Sequence, residues 1–289
     1  GLGYLVVVVA APTLIAREAS QKDAPFALAL WGTFFTLGLS IAAFAGGALG
    51  VPVGWRGWFF ASAGLVVIAA LAALVLIPKD GETEADRSKV WKTVSEMPRA
   101  SWFLGAAFLG LTLLALSILS LLPTFLVQQH ELTPEAAGSI TGFVALASIV
   151  GSLCYSVFAN RVSELIIAVS AGLVLIVGAF LVFAETAAPL QIVTFATVAV
   201  LMSGILVAQT FAAVPRVART PRLIGPTNGL VAQLGSVGAL TGPPVIGALI
   251  TSVGWSVVPF VVACFTLSFA VLFAVALNSE TIPISKDTT

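Results

Sequence analysis

The sequence predicts an all-α fold: a polytopic membrane helical bundle of about nine transmembrane helices. Three observations carry this. The 289 residues are 59% apolar and only 9% charged, whereas a soluble domain carries ~25% charged residues and needs them for its surface. The apolar residues gather into runs near the ~20 residues that cross a bilayer as a helix. Once those runs are read as spans, twelve of the thirteen Lys and Arg residues fall on one side.

The spans follow in order at about 1–16, 25–49, 56–77, 102–127, 136–158, 164–184, 189–214, 226–251 and 255–277. Pro, Gly and charged residues punctuate them. The breaks include Gly54-Trp55-Arg56, Gln128 to Pro134, Asn160-Arg161, Arg216 to Arg222 and Gly254-Trp255. One long polar stretch, Pro78 to Arg99, holds ten of the 26 charged residues and separates three spans from six. Val90, Trp91, Val94 and Met97 recur there at helical spacing. That spacing fits a helix lying on the membrane surface, and the composition fits a disordered tether. The domain reading is 1–77 as three helices of a first half-bundle, 78–101 as the loop between halves, 102–278 as a six-helix second half-bundle and 279–289 as a tail.

Charge sets the expected orientation. Arg17, Lys22, Lys79, Arg87, Lys89, Lys92, Arg99, Arg161, Arg216, Arg219, Arg222 and Lys286 share one side, and Arg56 stands alone on the other. The positive-inside rule makes the first side cytoplasmic, and the C-terminus with it. No basic cluster of the kind that grips nucleic acid is present. Cys154 and Cys264 lie inside apolar runs as free core thiols.

The chain also repeats itself. Residues 38–60 align with 238–260 at an offset of 200, without a gap, with eight identities in 23 positions. Gly47-Ala48-Leu49 matches Gly247-Ala248-Leu249, and Val53-Gly54-Trp55 matches Val253-Gly254-Trp255. Upstream, Pro12 and Pro215 each end a span before a basic loop. Parallel duplication of half-bundles is a device of transporters.

This layout resembles the major facilitator superfamily, over essentially the whole chain. The resemblance implies two six-helix halves, a cytoplasmic loop between them and a cytoplasmic C-terminus. It aligns this chain with the fourth to twelfth helices, so that the first three are expected to be missing before Gly1. The family's Gly-Pro-x-x-Gly-Gly run stands here as Ala42-Ala43-Phe44-Ala45-Gly46-Gly47, with the Gly-Pro lost. The repeat keeps Gly242-Pro243. The family's loop motif ending in Asp-Arg stands as Gly151-Ser152-Leu153 leading to Asn160-Arg161. The resemblance makes Arg161 part of a gating loop, with the acidic partner replaced by Asn160. Trp31-Gly32-Thr33 and Leu122-Pro123-Thr124 are loosely similar to bacterial cyanate- or anion-type carriers.

Buried charge in a span is costly and marks function. No Asp, Glu, Lys, Arg or His sits mid-span, and His130 lies in a loop beside Glu131. Metal sites and membrane-embedded catalysis need such groups, so the expectation is no enzyme, no catalytic or metal-binding residue and no cofactor. What remains is uncharged polar decoration. Ser117, Ser120 and Thr124 recur at i, i+3, i+7, and Thr141, Ser148, Ser152 and Tyr155 share a face of the next span. Thr36 accompanies Trp31; Gln209 pairs with Thr210, and Gln233 with Ser236. The expected solute-binding set is Trp31, Thr36, Ser117, Ser120, Ser148, Tyr155, Gln209 and Gln233, with the two glutamines foremost because a long amide both donates and accepts. The alternative for each is ordinary helix–helix hydrogen bonding.

The function read from this is a secondary active transporter of a small polar solute by alternating access. The alternative is a non-transporting sensor, scaffold or inactive fragment. The partners are a small-molecule solute, with or without a co-transported ion, and membrane lipid. The protein is expected to be a monomer in the bacterial inner membrane.

Overall fold

The computed structural model describes residues 34–76, 93–158, 161–184 and 187–279, together with positions 7, 11 and 14. The expected span 1–16 therefore lies almost wholly outside the described residues. So do the start of the second span with Trp31, most of the loop between halves, and the tail. Every regular element among the described residues is helical. Among the described residues, seven helices are long and apolar enough to cross a membrane.

The first element, α1, covers Phe34–Leu76 as two helices joined at Gly54. Gly54 has φ 72° and ψ 162°, a conformation essentially reserved for glycine. The chain reverses there. A Cβ on Gly46 would sit 3.9 Å from the Trp58 indole, yet twelve helical residues in line would span ~18 Å. The break expected at Gly54-Trp55-Arg56 is thus a tight turn between two helices. The second arm, Pro52–Leu76, buries none of its most apolar stretch.

Six helices follow: α2 (Arg99–His130), α3 (Pro134–Phe158), α4 (Glu164–Val182), α5 (Pro189–Ala218), α6 (Pro221–Val253) and α7 (Val258–Asn278). A 3-10 turn, Trp255–Val257, precedes α7. Helix starts carry the expected local signals. Pro stands in the first turn of α5, α6 and α7, where its missing N–H has no helical partner to lose. Ser163 caps α4, accepting from the Ile166 N–H. In the linker, Thr93–Glu96 form a helical turn and Met97 is buried.

Two readings change. Pro215 does not end its span: α5 runs on to Ala218 with Pro215 inside it. Likewise α6 begins at Pro221 and carries Pro226 within it. Near a helix end the carbonyl deprived by proline can meet water, so the break is not forced.

The six helices pack through two glycine seams. α2 lies along α6, the most extensive pairing in the fold, and α3 lies along α5. On the first seam Gly235, Gly238 and Gly242 are buried against Phe108, the Leu109 carbonyl and the Leu113 carbonyl of α2. Thr112 adds a hydroxyl bond of 2.8 Å to the Gly235 carbonyl. On the second, a Cβ on Gly204 would overlap the Ser148 carbonyl oxygen, and one on Gly151 would overlap that of Leu201. Ser152 donates to the Gly204 carbonyl at 3.0 Å. In lipid no hydrophobic drive separates helices from solvent, so close backbone approach and hydrogen bonds hold the seams. α1 joins the bundle through α3, where Phe44 lies on Gly142.

Candidate functional site

The two ends of the bundle are built differently. One end is charged. Arg216 at the foot of α5 pairs with Glu164 at the start of α4, 3.2 Å apart. Arg222 on α6 pairs with Glu96 of the linker at 3.5 Å. Arg219 donates to the Ser279 carbonyl after α7 at 2.9 Å. The Arg216 side chain is half exposed, so the first pair is worth under about 1 kcal/mol as a surface interaction. A buried contact reinforces it. Gln209 lies two turns earlier on α5, fully buried, and its amide donates to the Glu164 main-chain carbonyl. The same α5 face thus holds Glu164 by backbone and by side chain.

The other end is aromatic. Phe125, Phe183 and Trp255 form one cluster: Phe183 stacks on Trp255 with ring centroids 6.0 Å apart, and Phe125 meets both edge-on at 4.8 and 5.0 Å. His130 lies edge-on to Phe125 at 5.2 Å. Beneath the cluster is a void of about 10 Å³ lined by Ser117 and apolar residues. A second void of about 20 Å³ lies between α2, α4 and α5. Each has room for a water or two, not for a solute.

The expected binding residues separate accordingly. Trp31 lies outside the described residues, and of Thr36 only the backbone, in α1, is described. Ser117 is fully buried and donates to Leu113 at 2.6 Å, on the glycine seam with α6. Ser120 is exposed. Ser148 and Tyr155 lie along α3, Ser148 packed by its carbonyl on Gly204 of α5 and Tyr155 buried near the charged end. Gln209 belongs to the clamp just described, and its Oε1 has no partner among the described residues. Gln233 is half-buried on α6. Arg161 is exposed on the turn before α4, and the ion pair at that turn is made by Glu164. The structure therefore brings Ser148, Tyr155 and Gln209 to the α3–α5 region and leaves Ser117 and Gln233 with α6.

Three features escaped sequence reasoning. They are the Glu164–Arg216 pair, the Ser101–Thr227 hydroxyl contact of 3.1 Å between α2 and α6, and the hydrogen bond of Thr112. The glycine spacing 235, 238, 242 was a usable signal for the α2 seam. Nothing in the sequence signals which hydroxyl faces which helix. Among the described residues no group of His, Cys, Asp or Glu could hold a metal ion.

The repeat has a structural counterpart. Gly254, like Gly54, has positive φ and extended ψ, 94° and 176°. Each turn places a tryptophan next: Trp255 enters the aromatic cluster, and Trp55 carries the Arg56 guanidinium 4.2 Å above its ring.

Comparison with known proteins gives the same architecture. The sequence pattern of the Major Facilitator Superfamily matches residues 1–235. Two crystal structures of a bacterial homologue of the human lysosomal transporter Spinster, inward-facing and either unoccupied or occupied, are similar in fold. Their TM-scores are 0.62 and 0.64, at 14% identity, over 92% and 94% of this chain and 72% and 73% of theirs. At that identity the likeness is one of fold. No curated protein matches. Nothing in these matches supports the likeness to cyanate- or anion-type carriers.

Proposed function

From the membership of this chain in the major facilitator superfamily, an integral membrane family of transporters, we propose a specific mode of action: secondary active transport of a small polar solute by alternating access. The observation that supports it best is the paired turn. Two glycines 200 residues apart adopt the same rare backbone conformation within matching sequence. That fits two half-bundles of common origin, which alternating access rocks against each other. The α1–α3 contact, with Phe44 on Gly142, is where such halves would meet. The charged clamp and the aromatic cluster would then be the alternately opened ends.

Charge assigns the basic end to the cytoplasm, and the Ala-, Gly- and Val-rich composition with the family membership supports a bacterial inner membrane. The solute surface lies on faces the bundle leaves uncovered, because the enclosed voids are too small. Ser120 is exposed and Gln233 and Ser148 are half-buried, so these three stand nearest such faces, while Tyr155 is buried. Counterflow in liposomes carrying the purified protein tests the proposal, with a panel of sugars, amines and carboxylates, with and without a proton gradient. Saturable exchange of one solute class is the expected result. Correctly inserted protein that exchanges none of them would favour a non-transporting sensor or scaffold.

A further inference from the structure

The chemical class of the solute can be narrowed, on the footing of the carrier reading above. Two prolines, Pro243 and Pro244, stand side by side well inside α6. Proline has no N–H, so the carbonyls of Ala239 and Leu240, four residues earlier, have lost their helical donors. The chain stays helical through the stretch. Neighbouring hydroxyls do not replace those donors. Ser236 donates to Ala232, and Thr241 donates to Val237 and Gly238. On the facing helix α2, Thr112 donates to Gly235 and Ser117 to Leu113.

The deprived oxygens lie away from the α2 seam. Gly235, Gly238 and Gly242 are buried there, whereas Leu240 is 77% exposed and Pro244 is exposed as well. At 100° per residue, Gln233, Ser236, Leu240 and Pro243 share one face of α6. That face carries the Ser236 oxygen about one turn, and the half-buried amide of Gln233 about two turns, before the two deprived carbonyls, in an apolar span.

A separate observation points the same way. The hydroxyls of Thr112, Ser117, Thr141, Ser152, Thr210 and Ser236 all commit their protons to main-chain carbonyls. They can only accept a further bond. The unpartnered amide atom of Gln209 is also an oxygen. Among the described residues, Lys, Arg and His stand only at helix ends or in turns. A carboxylate or phosphate entering the described spans would find no positive charge. A cation bearing N–H groups finds acceptors.

We propose that the solute is a small organic cation of the ammonium type, seated on the Ala239 and Leu240 carbonyls of α6. Half-helix carbonyl ends serve cations in the same way in other membrane carriers.

The test uses purified protein in lipid nanodiscs and in liposomes, with cyclohexylammonium, cyclohexanecarboxylate and tetraethylammonium as probes. Thermal shift reads binding, and counterflow reads transport. Cyclohexylammonium is expected to bind, cyclohexanecarboxylate not, and tetraethylammonium, which has no N–H, at least about tenfold more weakly. The double substitution Pro243→Ala/Pro244→Ala returns N–H donors to both carbonyls and favours the helix. It is expected to weaken cyclohexylammonium about tenfold or more, while Pro226→Ala, near the start of α6, leaves it unchanged. Gln233→Glu is expected to tighten it. Preference for the carboxylate, equal binding of tetraethylammonium, or an indifferent double variant overturns the proposal. Binding of cyclohexylammonium with no counterflow of any probe would instead leave the binding face standing and remove the carrier reading.

Discussion

Gly254 and Gly54 show how far one residue can constrain this fold. Their backbone lies where a side chain is strained by about 1–3 kcal/mol, and nothing among the described residues stands within 4 Å of a Cβ at either position. The penalty of Gly254→Ala is therefore expected to come from the backbone alone. A loss of that size should appear as a lower melting temperature in detergent, and Gly254→Asn should lose about as much, because this extended region, unlike the left-handed helical one, is closed to asparagine too. Gly204 is the opposite case. Its conformation is ordinary, but a methyl group would overlap the Ser148 carbonyl. Gly204→Ala is expected to cost about 1–3 kcal/mol through overpacking, readable by the same melting measurement. Gln209 is different again: its amide nitrogen is committed to Glu164 and its oxygen is unpaired. Gln209→Met, which removes both the bond and the unpaired acceptor, is expected to change stability by no more than about 1 kcal/mol and to leave solute affinity unaltered. A large loss of affinity with normal melting would instead place Gln209 in contact with solute.

At the scale of elements, the two seams explain why glycine is placed as it is. Two parallel helices can approach until backbone meets backbone only where side chains are absent. On α6 the glycines at 235, 238 and 242 keep one face bare for α2, and the hydroxyl of Thr112 crosses there to the Gly235 carbonyl. Thr112→Val keeps the shape and removes that bond. The expected loss is about 0.6 kcal/mol, typical of interhelical bonds in lipid, and a double-mutant cycle with Gly235→Ala should show strong coupling because both changes act on one contact. The glycine pattern was readable as close packing, yet its partner was not, since periodicity identifies a face and never what covers it. Pro215 and Pro226 misled for a related reason. Proline marks a lost hydrogen bond, and whether that ends a helix depends on what surrounds the deprived carbonyl.

The whole molecule joins its first half to its second, among the described residues, through α1 and α3. Phe44 lies on Gly142 at that contact. Gly142→Leu should hold the two apart, and its expected effect is a loss of counterflow of about tenfold or more together with a lower melting temperature from overpacking. A matching Phe44→Ala should restore part of the lost rate by making room. The charge distribution gives a further expectation at this scale. Cysteine placed at Arg219 should react with membrane-impermeant maleimide from the cytoplasmic side alone, and cysteine at Glu131 from the other side alone. The reverse pattern would invert the proposed topology.

The one-dimensional sequence by itself determined the membrane class, the number and limits of most spans, the absence of charge within them and the repeat with its glycine turn. Those properties depend on local composition and on transfer from water to lipid, which each segment undergoes on its own. Only the tertiary structure decided which polar side chains face a neighbour and which face an open surface. It drew Ser117 into the α2 seam and Gln209 into a clamp on Glu164, and it left Gln233 half-buried on the face of α6 that carries Leu240. All three looked alike as polar residues at helical spacing, because spacing gives a residue its angle about the helix axis while packing alone gives that angle a direction in space.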